Sequence, residues 1–293
     1  MMKRILLFAV TNIAIVVTLS IVLSLLGISG YYLPGGGIDY TALALFSLFW
    51  GMGGAFISLQ LSRFIAKKAM GVRLVDGHTG HAELDWLHHT VQRLTQQAGL
   101  PMPEVGYYES PEVNAFATGP SRRRSLVAVS SGLIRRMRRE EVEAVLAHEV
   151  AHIQNGDMVT MTLIQGVVNA FVIFFARVIA NIVRNAVDER YAYAVSIAVT
   201  LVLEIALGIL GMMVVCWFSR AREFRADAGA AALAGRHNMI AALQRLMTTK
   251  ELVDNTQPAL ATMKIAGGTS GLMMLFATHP PLEARIAALQ AGR

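Results

Sequence analysis

Apolar residues gather in four long runs along this chain. Ile5 to Ile28 holds no charged residue, and neither does Tyr40 to Ser62, bounded by Asp39 and Arg63. Met158 to Ala176 is uncharged, with Arg177 the single charge before Arg184, and Tyr191 to Ser219 carries only Glu204. A helix needs roughly 20 apolar residues to cross a hydrocarbon core of about 30 Å, so each run predicts a membrane-spanning helix. A cleaved leader is the rival for the first run. Its apolar part would cover only about 7–15 residues, and Ile5 to Ile28 is longer.

The polar stretch 64–157 reads as a small α+β domain. Leu84, Leu87, Val91 and Leu94 predict a helix over 81–100 with Gly99 as its stop. Short strands follow at 104–109, 114–118 and 125–130, the last two joined by a turn at "GPSRRR" (119–124). Val142, Val145, Leu146, Val150 and Ile153 predict a helix over 139–154. Asn155-Gly156 can end it, and Asp157 can cap the next. Helices over 219–235 and 239–247 follow the fourth run. The expected division is a membrane hairpin at 1–63, a first domain part at 64–157, a second hairpin at 158–218 and a second domain part at 219–293.

Composition agrees with that pattern. Only 16% of residues are charged, against about 25% in soluble domains, while 54% are hydrophobic. The net charge of +6 could suggest nucleic acid, but its placement favours a lipid bilayer as the partner. Lys3 and Arg4 precede the first run, Arg63, Lys67, Lys68 and Arg73 follow the second, and the loop 29–40 has no Lys or Arg. By the positive-inside bias both ends of that hairpin are cytoplasmic. The lone cysteine, Cys216, can form no internal disulfide.

"AVLAHEVAHIQNGD" (144–157) carries the chemistry. On a helix, residues four apart share a face, so His148 and His152 can reach one ion. Zinc accepts imidazole nitrogen, and a catalytic site keeps three protein ligands and one open position for a water that it acidifies. Glu149 would take that water's proton and later pass it to the leaving amine. The pattern is expected by chance about 0.01 times in a chain of this composition. The alternative is two histidines on the polar face of an amphipathic helix.

A third ligand is needed. The metzincin extension requires Gly at 155 and His at 158, where this chain has Asn155 and Met158. Among the acids downstream, only "REFRAD" (222–227) sets two carboxylates four apart on one helical face. Glu223 would bind the zinc, and Asp227 could accept the free N–H of a ligand histidine. A surface ion-pair helix using Arg220, Arg222 and Arg225 is the competing account.

"AHEVAHIQNGD", "SRAREFRAD" and "THPPLEARI" (278–286), set among four apolar runs, resemble the HtpX membrane zinc metalloproteases. The resemblance covers essentially the whole chain. It implies one zinc on His148, His152 and Glu223, catalysis by Glu149, and a supporting role for Asp227. It also implies quality-control proteolysis of damaged or misassembled proteins in the bacterial inner membrane. The wider family includes CAAX prenyl proteases, so the substrate class stays open. The fold implied is an α-helical integral membrane protein with four transmembrane helices and a cytoplasmic α+β zincin-like domain.

The long separation of His152 from Glu223 then has a physical account, because a membrane hairpin leaves and returns on one side. Arg177, near a span end, can reach an interface. Glu204 is central and should face other helices, since a charge at mid-bilayer costs at least about 2.5–3.5 kcal/mol.

Other features are weighed beside these. His78, His81, His88 and His89 have no Cys with them and read as a solvated face. The Arg cluster at "SRRRS" and "RRMRRE" suits anionic headgroups or plain solvent. His279, beside Pro280-Pro281, could stabilise an oxyanion or serve structure. Asn114, Ala115, Phe116 and Ala117 lie upstream of the metal helix, as the substrate-pairing strand does in zincins. A zinc-binding scaffold without turnover is the alternative function, and Glu149 argues against it because zinc binding alone does not need it.

Overall fold

The computed structural model describes residues 2–25, 30–33, 37–256 and 272–292. In chain order the elements are α1 (Met2–Leu25), α2 (Tyr40–Met70), β1 (Arg73–Val75), α3 (Ala82–Gln97), β2 (Glu104–Tyr108), β3 (Ala115–Ser121) and β4 (Arg124–Ser130). There follow α4 (Ser131–Arg136), α5 (Arg139–Asn155), α6 (Asp157–Asn185), α7 (Glu189–Ala234), α8 (Arg236–Thr256), a 3-10 turn (Leu272–Phe276) and α9 (Leu282–Gln290). The chain divides into two compact units.

The first unit comprises Met1–Leu59 and Thr160–Val215. Among the described residues α2, α6 and α7 are long and apolar enough to cross a membrane, and Ile15–Leu25 of α1 is a shorter apolar helix. Val16, Leu48, Phe171, Ile205 and Leu210 each expose half or more of their surface. Such apolar exposure is a liability in water and costs nothing against acyl chains. Backbone contact holds α2 to α6: a Cβ at Gly51 would run into the main chain of Gly166 and Ala170. Asp39 Oδ1 caps α2, accepting from the Thr41 and Ala42 N–H groups at 2.9 and 3.0 Å. Arg177, expected to reach an interface, finds its partners on α7 and in the loop before α2. Its Nη1 donates to Glu204 Oε1 at 2.6 Å and its Nε to the Tyr31 hydroxyl at 3.0 Å. In apolar surroundings a charge finds its counter-ion sooner than water.

The second unit comprises Gln60–Val159 and Cys216–Arg293. Its sheet has the order β1-β2-β4-β3. β2 and β4 run parallel, with Val105 opposite Val127, while β1 and β3 pair antiparallel on the outside, with Phe116 opposite Ala128. One face of the sheet (Val75, Val105, Val127, Val129) packs on α3 and α5 through Leu87, Val91, Leu94, Val142, Leu146 and Val150. The other face (Leu126, Ala128, Tyr108 and Phe116) is covered by Ala66, Met70 and Val72. Burial on both faces explains why "SLVAVS" is a continuous run and not an alternating one.

Three features escape the apolar pattern. β1 is three residues and α4 is six, both too short for periodicity to register. α7 runs unbroken for 46 residues, through the point where its apolar run ends at Ser219.

Candidate metal centre

α5 presents His148 and His152 one turn apart, with ring centroids 4.6 Å apart and planes at 83°. Their Nε2 atoms face each other at 3.1 Å. The side chain of Glu223 on α7 is fully buried between them, with Oε2 3.5 Å from His148 Nε2 and Oε1 3.3 Å from His152 Nε2. Donor atoms of the three residues all lie within 4.8 Å of one another. The helices can come this close because small residues line their seam. Ala226 and Ala230 are wholly buried, and a Cβ at Gly229 would stand 2.8 Å from the Ala151 Cβ.

Each histidine leans on a further carboxylate through its Nδ1. Asp227 Oδ1 lies 3.0 Å from Nδ1 of His148. Gly156, in the left-handed region at φ 70°, ends α5 and turns the chain back, so that Asp157 Oδ2 stands 2.6 Å from Nδ1 of His152. Asp157, expected to cap α6, stands at the first position of that helix; its carboxylate serves His152 and, through Oδ1, accepts from Arg225 Nη2 at 3.3 Å. Asp227 is clamped by the guanidinium of Arg285, which donates from Nε to Oδ2 at 2.7 Å and from Nη2 to Oδ1 at 2.5 Å.

The charge balance shows in the titration of the rings. Burial alone would lower the pKa of His148, yet bonds to Asp227 and Glu223 raise it above the ordinary value. Burial likewise disfavours charge on His152, but Asp157, Glu223 and Glu149 push its pKa up to about 9. Carboxylates dominate the pocket, which therefore attracts positive charge.

The donor set fits a metal ion. A neutral ring whose Nδ1–H is held by a carboxylate presents a lone pair at Nε2. Two such lone pairs then converge beside Glu223 Oε1, which is buried with no hydrogen-bond partner among the described residues. A proton or a metal ion among the three atoms balances them, and two nitrogens with one oxygen is a set zinc accepts.

Glu149 follows His148 on α5 and is half-buried. Its carboxylate makes no hydrogen bond or ion pair among the described residues. His279 is brought in from the C-terminal segment, where its Nδ1 lies 2.8 Å from Glu223 Oε2. That segment is held by Arg220, whose Nη1 donates to the carbonyls of Met274, Leu275 and Ala277 at 3.1, 3.1 and 2.8 Å. Asn114 pairs with Ser130, its carbonyl accepting from the Ser130 N–H at 2.9 Å and its N–H donating to Ser130 Oγ at 3.1 Å. Ala115, Phe116 and Ala117 lie on the edge strand β3. Sequence reasoning misses three residues: Asp157, Arg220 and Arg285. Arg285 stands inside "THPPLEARI", and an arginine on an otherwise apolar helix face is the available signal.

A buried nitrogen–oxygen donor set with an uncommitted carboxylate next to it, on a chain with helices of membrane-crossing length, defines a membrane metalloprotease. Residues 81–293 match peptidase family M48. The chain is 51% identical over 289 residues to Protease HtpX of Pasteurella multocida (strain Pm70), covering 99% of this chain and 98% of that one. It is 53% identical over 300 residues to a Protease HtpX homolog of Verminephrobacter eiseniae (strain EF01-2), covering 99% and 98%. The crystal structure of S. mikatae Ste24p shares the fold, with a TM-score of 0.66 at 18% identity over 98% of this chain; the match spans 64% of Ste24p. The chain belongs to peptidase family M48.

Proposed function

We propose that His148, His152 and Glu223 hold one zinc ion and that Glu149 is the general base of peptide-bond hydrolysis. The approach of two Nε2 atoms to 3.1 Å beside the unpartnered Oε1 of Glu223 carries this reading. Bound zinc would polarise the scissile carbonyl and lower the pKa of water at the site. Glu149 accepts the proton of the attacking water on a carboxylate oxygen that nothing else occupies, then delivers it to the leaving nitrogen. Asp157, and Asp227 with Arg285 behind it, fix the Nδ1–H tautomers so that both Nε2 atoms stay available. His279 orients Glu223 through Oε2.

β3 would hold the substrate. Asn114 and Ser130 form the hydrogen-bonded kind of antiparallel pair, so alternation makes Phe116 and Ala128 the same kind. The N–H and C=O groups of Ala115 and Ala117 then point away from β4, toward the free edge. An extended peptide of any sequence can pair there.

The substrates in this reading are damaged or misfolded proteins of the bacterial inner membrane, cut on the cytoplasmic side in quality control and stress response. Four helices would span the bilayer, α1 with α2 and α6 with α7. The Lys/Arg bias around residues 29–40 supports the topology, and the names of the similar proteases support the proteolysis.

The test is the Glu149→Gln variant of the full chain in detergent. It should keep its zinc by elemental analysis and lose nearly all proteolysis of an unfolded polypeptide. His148→Ala, His152→Ala and Glu223→Ala should lose both. Full activity in Glu149→Gln would remove the mechanism, and retained zinc without turnover in the wild type would leave a metal-binding scaffold.

A further inference from the structure

The first unit holds a cavity of about 450 Å³ lined by Phe46, Trp50, Asn169, Val172, Arg177 and Glu204, among others. Trp50 stands ten residues into α2 and Asn169 sixteen before the end of α6. At 1.5 Å per residue these lie roughly 15 and 24 Å along the helices, inside a core of about 30 Å. The walls are aromatic and aliphatic, yet polar groups meet there. Arg177 and Glu204 are paired at 2.6 Å, and the Glu204 side chain stays 36% exposed. The indole N–H of Trp50 is buried with no acceptor among the described residues. Asn169 accepts from Gln165 Nε2 at 2.8 Å through its Oδ1, and its amide N–H₂ donates to no described residue. Charges at such depth are costly to insert and mark functional sites by default.

We infer that this cavity docks a transmembrane segment bearing an uncharged polar side chain, such as Asn or Gln. A side-chain amide brings one acceptor oxygen and one donor nitrogen. The oxygen suits the Trp50 N–H or the Asn169 amide, and the nitrogen suits Oε2 of Glu204, the oxygen that Arg177 does not take. Surrounded by acyl chains, that amide has no other partner. An anionic or cationic ligand gains less, because Arg177 and Glu204 already neutralise each other. An assembled membrane protein buries its polar side chains against its own helices. A damaged or unassembled one shows them to lipid. The cavity therefore selects by state of assembly and not by local sequence. This inference rests on the reading that the substrates are membrane proteins, and it adds a recognition step within the bilayer that needs no metal.

The experiment measures binding apart from cleavage. Full-length protein in liposomes is titrated with synthetic single-span peptides on a Leu/Ala host, one with a central Asn and one with Leu there, by energy transfer. The wild type should bind the Asn span about three- to tenfold more tightly. Arg177→Leu/Glu204→Leu, which removes both charges together, should abolish the preference. Trp50→Phe and Asn169→Leu, which leave the ion pair intact, should each weaken it and carry the comparison if the double variant unfolds. Equal binding of both spans by the wild type overturns the inference, and so does full preference in the folded variants. Cleavage of a soluble unfolded polypeptide, followed in parallel, reports on the proteolytic reading alone.

Discussion

Asp157 Oδ2 stands 2.6 Å from Nδ1 of His152, and Asp227 Oδ1 stands 3.0 Å from Nδ1 of His148. Each ring thus has its own carboxylate, one delivered by a turn and the other by a distant helix. Asp157→Asn keeps the shape and weakens the bond, so zinc affinity should fall about 10–100-fold, as it should in Asp227→Asn. Competition with a chromophoric chelator measures this. An unchanged dissociation constant in Asp157→Asn would return that residue to a purely structural place at the head of α6.

Arg285 is 6% exposed and grips both oxygens of Asp227, with Nη1 3.4 Å from Glu223 Oε2. Asp227 and Glu223 hold its charge firmly, raising its pKa further despite burial. Removing one partner of a buried pair costs about 3–5 kcal/mol, because the other charge stays behind. Arg285→Met should therefore lower both the melting temperature and zinc affinity. Arg285→Lys should recover only part of either, since an ammonium cannot match a carboxylate at two points. Equal stability of the Lys variant and the wild type would show that the fork geometry is dispensable.

Much of this arrangement is legible in the sequence, for a reason that also sets its limit. The spacings His148–His152 and Glu223–Asp227 can be read because a helix turns a separation of four into a shared face. The four apolar runs are visible because the hydrocarbon thickness sets their length. Arg285 meets Asp227 across 58 positions, and no local rule reports such a contact. Asp157 reads as a cap because its neighbour Gly156 predicts a helix end; that the turn also drops a carboxylate beneath His152 depends on the angle between α5 and α6. The fourth apolar run and the helix expected over 219–235 form one helix, because helix-compatible residues, Arg220 and Arg222, follow Ser219 with no breaking signal between them.

Glu141 makes the first turn of α5 sensitive to acid. Burial would push its carboxyl up, but the Arg138 N–H at 2.9 Å and the guanidinium groups of Arg138 and Arg245 hold it below its ordinary value. A carboxyl depressed in the folded state stabilises the fold above its unfolded pKa, near 4.5. That stability is lost as pH falls through the folded-state value. Glu141→Gln should melt a few degrees lower at pH 7, consistent with a cap worth roughly 1 kcal/mol. The gap should close on acidification toward the folded pKa; a gap independent of pH would mean that packing, not charge, is at stake.

The charge bias predicts which side each helix end faces. In a Cys216→Ser background, Gly30→Cys and Ala186→Cys should react with an impermeant thiol reagent added outside the cytoplasmic membrane. Arg123→Cys should react only after permeabilisation. All three positions are exposed, so accessibility within the fold does not limit the reaction. Reaction at 30 without reaction at 186 would mean that α6 and α7 form a hairpin that does not span.

The edge strand offers the sharpest separation of binding from folding. Phe116 faces Ala128 in a hydrogen-bonded pair, so Phe116→Pro deletes a ladder donor and should destabilise the sheet. Ala117 is the opposite case. Its N–H points away from β4, so Ala117→Pro removes a group that only a docked peptide would use, at a fixed φ near −65° that an edge strand tolerates. The variant should keep its zinc and come close to wild-type melting while KM for an unfolded polypeptide rises. A fall confined to kcat would place Ala117 nearer the chemistry than the docking. Wild-type KM in a folded Ala117→Pro protein, with the same result for Ala115→Pro, would take the β3 edge out of substrate binding altogether.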